Sequence, residues 1–177
     1  AAQDIGGTAD SCVFLRRTMI GDFAVEAEIK DSGGSLGALS KMGGLMVRET
    51  EAAGSKNAMI SIIHNTPPEN PPAWFASWRT TDGGSTLDQE TAGGESFPQY
   101  VGLQRSGASV SPSYSLNGVW IGLGAGIDMV TFPEAVQLGI PFANSSSGPG
   151  WVETEWFRVR KLVLPAPTVA LGDEEEL

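Results

Sequence analysis

Residues Gly21 to Ile29 read GDFAVEAEI, and the fold turns on how this stretch alternates. Phe23, Val25, Ala27 and Ile29 occupy every second position, with Asp22, Ala24, Glu26 and Glu28 between them. A period of two sends the apolar set to one face of a half-buried strand, whereas an amphipathic helix repeats its apolar residues about every 3.6 positions. Glu26 and Glu28 then share the wet face, so their spacing follows from the strand without any catalytic purpose.

Working outward, the same reading finds strands in SCVFLRR (11–17), GGLMVRE (43–49), NAMISIIH (57–64), AWFASWRT (73–80), YVGLQRS (100–106), SVSPSYSL (109–116) and VETEWFRVRKL (152–162). Turn-forming clusters separate them: DSGGS (31–35), NTPPENPP (65–72), TDGGST (81–86), TAGGES (91–96), LNG (116–118) and NSSSGPG (144–150). Only ETEAAGSKNA (49–58) and TFPEAV (131–136) have the composition for a helical turn. Many short strands at this spacing predict an all-β protein, a two-sheet antiparallel jelly-roll sandwich.

Composition agrees. The 177 residues suit one domain with a full core, and 23 glycines, 11 prolines and 18% charge suit short strands with many turns. We expect the sandwich over residues 1–164 and an acidic, proline-containing tail or linker stub over 165–177, where PAPTVALGDEEEL has no periodicity. The net charge of -10 repels polyanions, and no basic stripe interleaves with aromatics, which argues against a nucleic-acid partner. No apolar run approaches the roughly 20 residues of a membrane span, so no membrane insertion is expected. One cysteine, Cys12, allows no intrachain disulfide, and with one histidine, His64, it makes no Cys/His zinc site. Cys12 reads as a small buried hydrophobe and His64 as a strand-end hydrogen-bonding residue.

Several phrases, taken in order, resemble bacterial extracellular modules with a concanavalin A-like, laminin-G-like jelly roll, near the DUF1349 group. They are DIGGTADSCVFLRRTMIGDFAVEAEI (4–29), KMGGLMVRET (41–50), SKNAMISI (55–62), FASWRTTDGGST (75–86), YVGLQRSG (100–107), SYSLNGVWIGLG (113–124) and VQLGIPFANSS (136–146). Gly6 stands where those modules carry a tryptophan, and Pro112 interrupts a strand that is bulkier in them. Proline cannot donate to a ladder, so strand 109–116 is expected at an edge or broken. The resemblance implies an extracellular or cell-surface module, mostly non-catalytic, and names no ligand. The AAQ start suits removal of a signal peptide.

Two Glu-x-Glu pairs, Glu26/Glu28 and Glu153/Glu155, have side-chain roots roughly 6.6–6.8 Å apart on one strand face, a spacing that carboxylate-pair hydrolysis tolerates. Neither pair has an aromatic between its acids, and the Glu-x-Asp-x-Glu cluster of glucanases with this fold is missing, so no catalytic residues are assigned. Sugar binding asks for aromatic faces beside hydrogen-bonding groups. The parts on offer are Trp74, Arg79, Arg48, Trp120 and Tyr114. Trp78 and Trp156 are expected in the core, while Trp74 and Trp120 lie next to loops where rings serve as contacts. With Trp78 inside, Arg79 and Ser77 fall on the outer face, with Arg48 as a neighbour. No cofactor is assigned; calcium is the one such loops can hold, from Asp82, Asp88 and Glu90. Three functions compete: a non-catalytic module binding a glycan or a partner surface, a structural subunit that self-associates through loops and edge strands, and a glycan-active hydrolase.

Overall fold

The computed structural model describes residues 5–34, 41–64, 73–91, 97–144 and 150–162. Its strands, in chain order, are β1 (Val13–Ile20), β2 (Phe23–Gly34), β3 (Lys41–Arg48), β4 (Asn57–His64), β5 (Ala73–Arg79), β6 (Leu87–Thr91), β7 (Gln99–Ser106), β8 (Ser109–Leu116), β9 (Val119–Gly122), β10 (Ile127–Asp128), β11 (Ala135–Asn144) and β12 (Gly150–Lys161). One sheet runs β1-β11-β3-β4-β5-β6 and the other β10-β8-β7-β2-β12, with β9 also on β8, and all pairs are antiparallel. This is the two-sheet antiparallel jelly-roll sandwich expected from the sequence. Loops 65–72 and 145–149 and the tail from 163 onward lie outside the described residues.

The core is built from alternation. Phe23, Val25, Ala27 and Ile29 of β2 are at most 1% exposed, and they meet Leu45 and Val47 of β3, Ile60 and Ile62 of β4 and Leu138 of β11 across the sandwich. Glu26 and Glu28 stand half-buried on the opposite face of β2. The LNG turn joins β8 to β9 with Asn117 and Gly118 both at positive φ, 52° and 80°, the geometry of a tight hairpin.

Three expectations need correcting. Among the described residues no helix forms at 49–58 or 131–136: Asp82 Oδ1 accepts a bond from the Lys56 N–H, and the first segment is a bend and turn that runs into β4. Strand β8 is interior, yet Pro112 still shapes it. Its outer neighbour is split, β10 pairing at Ser109–Val110 and β9 at Ser113–Leu116, and Pro112 in the gap accepts one bond from the Leu123 N–H through its carbonyl. The missing N–H of proline falls where no continuous ladder asks for it. Finally, Trp156 is not core. Register shifts in β12 between Glu153, Thr154 and Trp156 set Trp156 opposite Glu28 on the outer face and leave Phe157 to pack inward.

The outer face of the first sheet is closed at its centre. Ile5, Cys12 and Phe14 from the amino-terminal segment cover Met46, Met59, Ile63 and Ala143. Below them, Asp10 accepts bonds from Arg79 Nη2 (2.8 Å), Arg79 Nη1 (3.1 Å) and Asn57 Nδ2 (2.9 Å), and Arg48 lies 3.5 Å away. Arg79 also donates to the carbonyls of Ser55, Ala53 and Gly84 and to Thr86 Oγ1, so one guanidinium ties three loops together. Removing one partner of a fully buried pair leaves the other charge stranded, at a cost of about 3–5 kcal/mol. Asp10→Ala is therefore expected to lower the unfolding free energy by about that much in urea titration; a change below about 0.5 kcal/mol, the size of an ordinary surface effect, contradicts the assignment.

Candidate functional site: the open face of the second sheet

The residues expected to form a binding set do not converge on one surface. Trp74, only 4% exposed, points into the core and stacks on Tyr114 from the facing sheet, with ring centroids 4.3 Å apart. Both belong to the packing between sheets, because Trp74, Ala76 and Trp78 all lie on the inward face of β5. Arg79 is 0% exposed and Arg48 nearly so, both committed to Asp10. The outer face predicted for them is correct, and the amino-terminal segment laid over it removes them from solvent. Of the set, Trp120 alone is well exposed, at 43%.

Trp120 leads to the surface that remains open. On β2 the outward residues are Ala24, Glu26 and Glu28, opposite Gln104, Gly102 and Tyr100 of β7. On the other side they face Arg160, Arg158 and Trp156 of β12. Beyond β7 come Ser111, Ser113 and Ser115 of β8, and Ser115 is opposite Trp120 of β9. Three rows of side chains thus cross the strands: Trp156, Glu28, Tyr100, Ser115 and Trp120; then Arg158, Glu26, Gly102, Ser113 and Gly122; then Arg160, Ala24, Gln104 and Ser111.

The middle of this face is low because its residues are small. Ala24 and Gly102 floor a groove of about 240 Å³ whose sides are Glu26, Gln104, Ser113, Trp120 and Arg160. The Trp120 ring reaches two strands over to lie beside Gly102: a Cβ there would sit 3.1 Å from Trp120 Cζ3 and 2.8 Å from Ser113 Oγ. Glycine at 102 is what lets the ring lie down against the sheet. At the far side, Trp156 and Tyr100 lean together over Glu28, with centroids 6.0 Å apart, and the Arg158 guanidinium lies 4.2 Å over the Trp156 ring. Arg160 reaches to within 3.9 Å of Glu26. Flat rings beside carboxylates, amides and hydroxyls are the elements that stack a sugar ring and fix its hydroxyl groups.

A second opening is of a different kind. At one edge, β1 overhangs the second sheet, whose outermost strand β12 stops short of it. Val13 and Leu15 of β1, Ile140 and Phe142 of β11, and Val152 and Phe157 of β12, with Thr154, Glu155 and Trp156 at its β12 side, line a mainly apolar cleft of about 430 Å³. Leu15 is 74% exposed there.

The remaining candidates are placed as follows. Glu153 and Glu155 both turn to Lys30, at 2.9 and 3.2 Å, and these bonds push the Lys30 ammonium above its ordinary pKa. Asp82 is taken by the Lys56 amide while Asp88 and Glu90 stand on β6, and among the described residues no three His, Cys, Asp or Glu side chains converge. The calcium donors expected from the sequence do not fit one cation. Cys12 is half-buried, and burial pushes its thiol up, opposed in part by the Arg48 charge. His64 ends β4 opposite Lys41. The pairing of Tyr100 with Trp156 and the groove beside Trp120 were not foreseen. The alternation in YVGLQRS and Glu26/Glu28 held the signal, since both strands place their even-numbered residues outward.

No protein-family model and no curated protein matches the sequence. Solved structures do. A functionally unknown protein from Saccharomyces cerevisiae superposes with a TM-score of 0.71 at 14% identity, covering 92% of this chain and 84% of that one. A xylan β-1,4-xylosidase from Bacillus halodurans gives 0.65 at 13% identity, over 90% of this chain and 32% of its own. A GH43 protein from Bacillus licheniformis gives 0.64 at 16% identity, over 87% of this chain and 30% of its own. At these identities the likeness establishes the fold, and in the two longer proteins the matching part is about a third of the chain.

Proposed function

We propose that the chain is a non-catalytic, carbohydrate-binding β-sandwich module working outside the cell or at its surface, and that it binds through the outer face of the second sheet. The observation that carries this reading is the exposed Trp120 ring laid against Gly102 beside Glu26, Gln104, Ser113 and Arg160. The occurrence of similar sandwiches within a xylosidase and a GH43 protein supports a sugar as the ligand. A non-catalytic role is supported by the setting of the acids. Hydrolysis keeps one carboxyl protonated in an apolar pocket next to a charged partner. Here Glu26 lies by Arg160, and Glu153 and Glu155, each about half exposed, share Lys30.

A glycan-array screen of the chain, followed by calorimetric titration of any hit with the Trp120→Ala variant, tests this directly. Because Trp120 lies on the outer face of the sheet and not in the core, the variant is expected to remain folded, as a thermal melt checks. It is expected to lose at least tenfold in affinity, about 1.4 kcal/mol. Undiminished binding by the variant, or no binding to any glycan, refutes the proposal.

The overhanging β1 favours a second role, self-association through the sandwich edge. Val13, Leu15 and Ile20 are exposed along a strand with one unpaired side. Sedimentation velocity is expected to show a concentration-dependent dimer that Leu15→Glu abolishes; a monomer at every concentration rules this role out. The loops NTPPENPP and NSSSGPG, also expected to make such contacts, fall largely outside the described residues.

A further inference from the structure

Resting on the carbohydrate reading, we infer that the ligand is an uncharged, linear oligosaccharide lying across the strands, held at both ends by aromatic rings. A single sugar held by Trp120 would leave most of the face unused. From Trp120 on β9 to Trp156 on β12 the row crosses β8, β7 and β2. Four strand spacings make about 19 Å, far longer than one sugar ring.

The rings close that distance from both ends. Trp120 leans inward to Gly102 on β7, and Tyr100, the neighbouring outward residue on the same strand, leans with Trp156 over Glu28. Trp120 and the Tyr100/Trp156 pair thus stand toward the two ends of the row, with Arg158 resting 4.2 Å over the Trp156 ring. Next to Trp120, Gly102 and Ala24 floor the groove.

Polar groups flank this track at intervals. Glu26 and Glu28 can only accept hydrogen bonds when ionised, which suits the hydroxyl hydrogens of a sugar, and Gln104, Ser113, Arg158 and Arg160 add donors. Two carboxylates and two guanidiniums balance on the rows, with Glu26 and Arg160 3.9 Å apart and Arg158 already on Trp156. A uronic or sulfated chain would meet the two glutamates alongside the two arginines, on a molecule whose net charge is -10. Repulsion of that kind selects against polyanions and leaves neutral glycans as the fitting class.

The test is calorimetric titration of the whole chain with neutral cello-, xylo- and laminari-oligosaccharide ladders from mono- to hexasaccharide, alongside oligogalacturonates. Affinity for at least one neutral ladder is expected to rise about tenfold or more between disaccharide and tetrasaccharide. Trp156→Ala is expected to lose about tenfold more affinity for the tetrasaccharide than for the disaccharide, and Trp156→Phe to recover most of it; thermal melts confirm that both variants fold. Trp120-dependent binding with no gain in length, or tighter binding of the galacturonates, overturns this inference and leaves the carbohydrate reading standing. No binding to any sugar overturns both.

Discussion

The pairing of Asp10 with Arg79 decides which surface of this sandwich is left to the solvent. Both side chains are fully buried, and the guanidinium spends its donors on the carboxylate and on loop carbonyls around it. The pair pins the amino-terminal segment over the centre of the first sheet, where Ile5 seals Met46, Met59 and Ile63 from water. With the inner faces committed to the core and this outer face covered, the outer face of the second sheet is left broadly open among the described residues.

A third buried arginine does similar work elsewhere. Arg105 of β7 donates to the carbonyls of Gly107, Pro133 and Glu134 and lies over the Phe132 ring, which fastens the chain entering β11 to the second sheet. Burial lowers its pKa from the ordinary arginine value, while Asp22 and Glu134 act the other way. Arginine suits both positions because its planar fork can satisfy several carbonyls at once without leaving a donor unpaired.

Much of the fold was legible because alternation survives in single strands. NAMISIIH and SVSPSYSL each appear at their predicted bounds, and the turn at LNG supplies the hairpin it promises, whereas the GDFAVEAEI strand runs on to Gly34 through the DSGGS cluster that was read as a turn. What escaped was whatever depends on neighbours far away in sequence. Strand β6 carries LDQET, almost wholly exposed, so it shows no apolar period to find. Trp156 was assigned to the core because a one-residue bulge at Glu155 reverses the faces of β12, and a bulge leaves no mark in composition. The outward direction of Arg79 was readable from AWFASWR, but its burial was not, since the segment that covers it lies 69 positions earlier. Of the residues named from the sequence, Trp120 lies on the candidate face beside the β8–β9 turn, while its neighbours Gly102, Gln104, Ser113 and Glu26 come together only through the pairing of β2, β7 and β8. Of the two acids that opened the sequence question, Glu26 lines the groove beside Trp120, and Glu28 stands between Tyr100 and Trp156.

The most direct test of the open face as the binding surface is amide and indole chemical-shift mapping by NMR, with a neutral tetrasaccharide titrated into the isotope-labelled chain. Shifts are expected to cluster at Ala24, Glu26, Gly102, Gln104, Ser113 and the Trp120 indole, and to extend to Tyr100 and Trp156. Shifts confined to Leu15, Ile140 and Phe157 at the sandwich edge, or to the Asp10 and Arg79 region, would contradict it.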